Sequence, residues 1–277
     1  MNRKIVLPVL MLILISFIWT ETGLAQPIPI PQVTVGVGEG DSPKDVATIL
    51  QVIFLLTILT LAPAILIMTT SFTRIVIILS FARRALGTQQ TPPNQIIVGL
   101  ALFMTFFIMA PVWEQINDIA LKPYFNGQIK AEVRTSEVNG REVRETVQPF
   151  YVMLEKGVQP LKDFMWRQLG ERGAKEVALF LYMAQMEAPD SRDEVPMRIM
   201  IPAFVVSELQ KAFIVGFVLF IPFLIIDMVV ASVLMSMGMM MLPPVMISLP
   251  FKILLFVMVD GWHILIRSIG LSFLAGG

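Results

Sequence analysis

Three stretches of this chain carry no charged side chain: Val46 to Met68, Ile96 to Val112 and Met228 to Phe251. An α-helix rises about 1.5 Å per residue, so about 20 apolar residues cross the hydrocarbon core of a bilayer. Runs of this length restrict the chain to helices that lie in a membrane or pack against other apolar helices. The composition agrees: 56% of the 277 residues are hydrophobic, only 15% are charged, and the mean hydropathy is +0.75. A soluble domain carries about 25% charged residues.

What charge there is lies in one block. Residues 113–200 hold 12 of the 21 basic and 14 of the 21 acidic side chains, leaving 9 and 7 for the rest. The overall sum is zero, without the basic excess of a nucleic-acid binder. The chain has no cysteine and one histidine, His263. Disulfides, thiolate metal sites, iron–sulfur clusters and sites needing two histidines are therefore excluded, and neither metal nor cofactor is expected.

The segment from Met1 to Ala25 has the three parts of a secretory leader. Arg3 and Lys4 precede an apolar run from Ile5 to Ile18, and Gly23 and Ala25 put small residues where a leader peptidase cuts. Cleavage is expected between Ala25 and Gln26. Gln26 to Ser42, rich in Pro and Gly, reads as an extended arm.

Between the first two apolar runs, residues 69–95 carry Arg74, Arg83 and Arg84 and no acid. Positive connections stay on the cytoplasmic side, so this segment faces inward and the polar block 114–195 faces outward. That topology agrees with an exported N-terminus. Pro63 is expected to kink the first run. Within the polar block, Pro160 to Ala184 has helical spacing, its apolar face made of Leu161, Phe164, Met165, Leu169, Val177, Phe180 and Leu181. Asn139-Gly140 between valine-bearing flanks is a weak hairpin signal.

From Glu208 to the C-terminus the chain mixes apolar runs with charge. Glu208 and Lys211 precede Ala212–Ile226 and Asp227 ends it; Lys252, Asp260, His263 and Arg267 punctuate the remainder. Charges at membrane depth are costly unless paired or facing a protein-lined cavity, so these helices are expected to pack against protein. Without such neighbours the chain should be unstable. Glu208 and Lys211 lie one turn apart and are candidates to pair with each other or with Asp227 of another copy. Asp260, His263 and Arg267, at i, i+3 and i+7, fall on one helical face as an ion-paired stripe or a proton relay. The pairing role is favoured for both groups, because such intrahelical pairs are common.

Met228, Met235, Met237, Met239, Met240, Met241 and Met246 crowd a short part of a chain that has 19 methionines in all. Methionine is flexible and fills irregular gaps. Gly238 and Pro243-Pro244 flank Met239-Met240-Met241, so this stretch is a loop rather than a helix interior. Three soft apolar side chains on a loop suit a constriction that seals by dewetting and deforms around a passing chain. No nucleophile elbow, zincin signature or Walker loop is present, and no enzymatic activity is expected.

Three stretches resemble a known family. They are Thr70-Ser71-Phe72-Thr73-Arg74 with Ala85-Leu86-Gly87-Thr88-Gln89-Gln90-Thr91-Pro92-Pro93-Asn94-Gln95 and Gly99 to Pro111; Pro202-Ala203-Phe204, Ser207-Glu208-Leu209, Ala212-Phe213 and Gly216-Phe217; and Met239 to Pro244 with Pro250-Phe251-Lys252 and Asp260-Gly261-Trp262. The chain resembles the FliP family of flagellar type III export-gate proteins from about Val46 to Arg267. It departs from the family at Ile214, where a polar residue is usual, and around Arg134–Gln148, which is longer than usual.

The resemblance implies an all-α fold of membrane-associated helical hairpins with a helical extracytoplasmic insertion, assembling into a helical pore. It implies five copies joined by FliR and FliQ, contacts with FlhB and FlhA, and unfolded flagellar subunits as cargo. The setting would be the bacterial inner membrane and flagellar basal body, extending to the periplasmic side. Met239, Met240 and Met241 match the family's gasket. Arg74, Glu208, Lys211, Asp227, Lys252, Asp260, His263 and Arg267 are the candidate polar contacts within or between subunits. The expected divisions are a leader (1–25), an arm (26–45), a first helical hairpin (46–112), a polar periplasmic domain (113–200) and a second hairpin with the methionine loop (201–277). An injectisome export-gate homologue and a proton-conducting subunit are the alternatives; the leader favours the flagellar branch.

Overall fold

The computed structural model describes residues 43–88, 91–138, 141–239 and 243–274. The leader and its cleavage site at Ala25 and Gln26 lie outside these, as do Met240 and Met241. The chain divides into two units, Met1–Leu55 and Leu56–Gly277. In the first, the described part is helical from Pro43 onward, with Ile49, Leu50, Ile53 and Phe54 exposed.

Helix α1 (Pro43–Thr69) includes Pro63, and its residues from Leu56 onward belong to the second unit. There it is followed by α2 (Phe72–Ala85), α3 (Asn94–Ile116), a π-helical turn (Asn117–Leu121) and the short α4 (Lys122–Phe125). A strand pair, β1 (Glu132–Val138) and β2 (Arg141–Val147), leads to α5 (Pro149–Met183). A 3₁₀ turn at Arg192–Glu194 precedes α6 (Met197–Ser236), α7 (Pro244–Met258) and α8 (Gly261–Leu274). The all-α class holds, with one small hairpin inserted.

That hairpin is where Asn139-Gly140 pointed. The strands pair antiparallel with Val138 opposite Arg141, and Asn139 and Gly140 themselves lie outside the described residues. Its root is fixed by Val147, packed on a cluster of Ala120, Ile129, Val152 and Met153. Most of the Arg134–Gln148 stretch lies in this ribbon.

The main core forms where α2 meets α5, α6 and α8. Helix α2 buries Phe72, Ile75, Ile78, Leu79 and Ala82, one face at helical spacing. It meets Met200, Ala203, Phe204 and Ala212 of α6 and Leu265, Ile269 and Phe273 of α8. Each isoleucine, leucine, phenylalanine or methionine among them contributes about 1.5–3 kcal/mol when fully buried. The apolar face expected on α5 is the one buried: Phe164, Met165, Leu169, Val177 and Leu181 are covered, and Phe164 meets Phe204 edge to face at 6.1 Å.

Close approach of α2 and α6 depends on Gly216. A Cβ there would lie 2.6 Å from Cγ of Phe81, whose ring also packs edge to face on Phe213 at 5.3 Å. Gly216→Val should therefore push the two helices apart and cost at least about 1–3 kcal/mol, the usual penalty of overpacking. Unfolding of the detergent-solubilised chain by denaturant checks this, and an unchanged midpoint would refute it.

Asp227, which closes the apolar run Ala212–Ile226, lies inside a helix. Helix α6 continues past it to Ser236, because the Asp227 carboxylate is taken up by α7. Among the described residues, three helical stretches are long and apolar enough to cross a membrane: Ile49–Thr69, Asn94–Phe125 and Met197–Ser236. Helices α7 and α8 form a fourth candidate bent by 64°. Only 11% of the α6 window is buried within the chain, so most of its apolar surface awaits lipid or protein.

Candidate functional site

Arg74 of α2 and Glu208 of α6 are 134 residues apart in sequence and meet in the core, 2% and 0% exposed. Arg74 Nε donates to Glu208 Oε2 at 2.7 Å, and Nη2 donates to Oε1, making a bidentate pair. Nη2 also donates to Gln168 Oε1 of α5 at 3.0 Å, and Nη1 reaches the Ser272 carbonyl of α8 at 3.4 Å. The guanidinium lies 4.0 Å over the ring of Phe273. Gln168 Nε2 donates in turn to the Phe273 carbonyl at 3.0 Å. Lys211 stands 3.7 Å from Glu208 Oε1 and donates to the backbone carbonyl of Gln168.

The node holds two cations and one carboxylate, an excess of one positive charge. Two helix ends converge on it. Ser272 and Phe273 lie in the last turn of α8, and Gln168 lies in the last turn of α5 before the helix breaks at Gly170. A helix C-terminus acts as roughly half a negative charge. Two of them offset the excess cation, which accounts for a charged triad in an apolar interior without a further acid. The fixed planar fork of arginine suits this place, since it serves a carboxylate, an amide and a carbonyl together.

A second pair closes the α6–α7 hairpin. Lys252 Nζ donates to Asp227 Oδ2 at 2.6 Å, and Ser248 Oγ donates to Oδ1. Lys252 is 2% exposed. Phe223 faces Phe256 on one side of the clip, while Val233 and Leu234 share a cleft with Ile247 on the other, so the helices run antiparallel. At their tip Gly238 adopts φ 75° and ends α6. Met235, Met237, Met239 and Met246 are exposed around it, and Met239 is the one gasket candidate among the described residues.

The three charges near the C-terminal end are not gathered. Asp260 sits at the bend between α7 and α8 with φ 53°, before the helix begins, so it leaves the register of His263 and Arg267. All three are exposed.

The sequence reading missed Gln168, Ser248 and the carbonyls of Ser272 and Phe273. Gln168 had a signal: it lies at i+4 from Phe164 and i+7 from Leu161, a polar side chain on an apolar face. Ser248 lies one turn before Lys252, too common a spacing to single out. Backbone acceptors carry no signal in side-chain identity.

Helices of membrane length, keyed together by interior ion pairs between distant segments, define a polytopic helical membrane protein. The sequence profile of the FliP family matches residues 55–269. The chain is 48% identical over 239 residues to flagellar biosynthetic protein FliP of Bacillus subtilis, covering 86% of this chain and 98% of that one. It is 49% identical over 223 residues to the FliP of Pectobacterium carotovorum, covering 80% and 78%. Against the FliP of Aquifex aeolicus it is 44% identical over 246 residues, covering 88% and 92%. The chain belongs to the FliP family and is a membrane-embedded flagellar biosynthesis protein.

Proposed function

We propose that this chain is a scaffold and gate subunit of the flagellar type III export gate. Five copies assemble with FliR and FliQ around a central path, contact FlhB and FlhA, and pass unfolded flagellar subunits across the bacterial inner membrane. The chain has no catalytic part in this. Its seat is the basal body, with residues 113–200 on the periplasmic side.

The observation that carries the reading is the α6–α7 hairpin. The Asp227 clip holds two apolar helices together and presents a methionine-rich tip, with Met237 67% and Met239 40% exposed. Repeated around a ring, one such tip per copy makes a soft apolar collar. The long apolar faces of α1 and α6, uncovered in the single chain, supply surface for neighbouring subunits.

Affinity purification from membranes followed by mass measurement of the intact complex tests this. The expected result is a complex holding several copies of the chain together with FliR and FliQ. Recovery of a stable monomer alone, from cells expressing all three proteins, would overturn it.

A further inference from the structure

Helix α5 is two helical segments joined at Gly170, where φ is 59° and ψ is −164°, a conformation open essentially to glycine alone. The break turns the end of the first segment, 149–169, into a helix C-terminus inside the protein, whose last carbonyls lose their amide donors. Lys211 of α6 donates to one of them, the carbonyl of Gln168. The Glu208 carboxylate is already engaged twice by Arg74 and stands farther off, at 3.7 Å. The closer partner of Lys211 is thus the helix end. Beyond the break, Leu169 folds over Gly173, where a Cβ would lie 2.4 Å from Leu169 Cδ2. Gly170 and Gly173 together make the bend, and a cation from another helix holds it.

We propose that Lys211 is a latch on an α5 hinge. Its ammonium caps the internal C-terminus at Gln168 and so fixes the angle between segments 149–169 and 171–183. A cation at a helix C-terminus is stabilising, and here the same side chain is carried by the helix of membrane length. A shift of α6 along its axis withdraws the cap, and the angle at Gly170 is then held only by the packing of the second segment through Val177 and Leu181, so it widens into a broader range. The device links the position of α6 to the orientation of a helix in the polar block.

The chain has no cysteine, so paired labels are clean. Lys156→Cys and Ala178→Cys place spin labels at exposed positions on the two sides of Gly170. The full chain is purified in detergent and labelled copies are diluted with unlabelled ones. A straight helix would separate the two positions by about 33 Å. With Lys211 in place, one narrow distance distribution shorter than this is expected. Lys211→Met should at least double its width, and Lys211→Arg should restore it. Gly170→Ala, with Lys211 retained, should shift the distance toward the straight-helix value. An unchanged narrow distribution in Lys211→Met, an arginine variant as broad as the methionine one, or a Gly170→Ala variant keeping the bent distance would each overturn the latch. Circular dichroism on every variant separates loss of the bend from loss of the fold.

Discussion

Glu208→Gln should cost the folded chain about 3–5 kcal/mol, the usual effect of removing one partner from a buried ion pair. The reason is the charge count of the node. With the carboxylate gone, Arg74 and Lys211 face each other across a core in which Glu208 is wholly enclosed. Two helix C-termini, worth together roughly one negative charge, cannot balance two cations. Glutamine keeps the shape and one acceptor, so the loss reports charge rather than a cavity. Replacing Arg74, Glu208 and Lys211 all by apolar residues of similar volume should recover much of the loss, because well-packed hydrophobic substitutes for buried charge groups are often neutral or better. Denaturant unfolding of the purified chain gives both numbers. A Glu208→Gln variant as stable as the parent would show that the node carries no unbalanced charge when its acid is removed.

Replacing Met239, Met240 and Met241 together by alanine should let small ions leak through the assembled complex while assembly itself survives. Each change removes a flexible side chain from the sequence between α6 and α7 and leaves the Asp227 clip and the packing faces of those helices unaltered. A collar of alanines is wider, and a wider apolar constriction wets. Conductance of whole cells or planar bilayers carrying the complex reads the effect, with copurification of partners as the control on assembly. An intact complex with the triple change and no leak above the parent would remove the methionines from the gate.

Much of this architecture could be read from sequence where physics is local. The first two uncharged runs located α1 and α3, whereas the third, Met228 to Phe251, is divided between α6 and α7; the apolar face read on α5 is the buried one, and strands flank the Asn139-Gly140 signal. Pairing across the chain was less accessible. Glu208, Lys211, Asp227 and Lys252 read as charges in need of protein neighbours, and the neighbours prove to lie in the same chain. Nothing in the spacing of residues 74 and 208 announces a bond between such distant positions. Asp260 misled for a different reason: helical periodicity was extended through a residue whose positive φ stops one helix and starts another. The break at Gly170 was invisible because helical spacing of apolar residues resumes on its far side.

The satisfaction of the interior charges within one chain separates two stages of this protein's life. Arg74, Glu208, Lys211, Asp227 and Lys252 find their partners when the single chain folds, so a newly inserted copy needs no sibling to neutralise them. What it still presents to its surroundings along α1 and α6 is hydrocarbon. In the proposed ring, contacts made there between copies are indifferent to ionic strength and discriminate by shape, not by charge. Recruitment into a larger body becomes a matter of contour matching between finished parts, and the salt content of the compartment has little say in which parts fit.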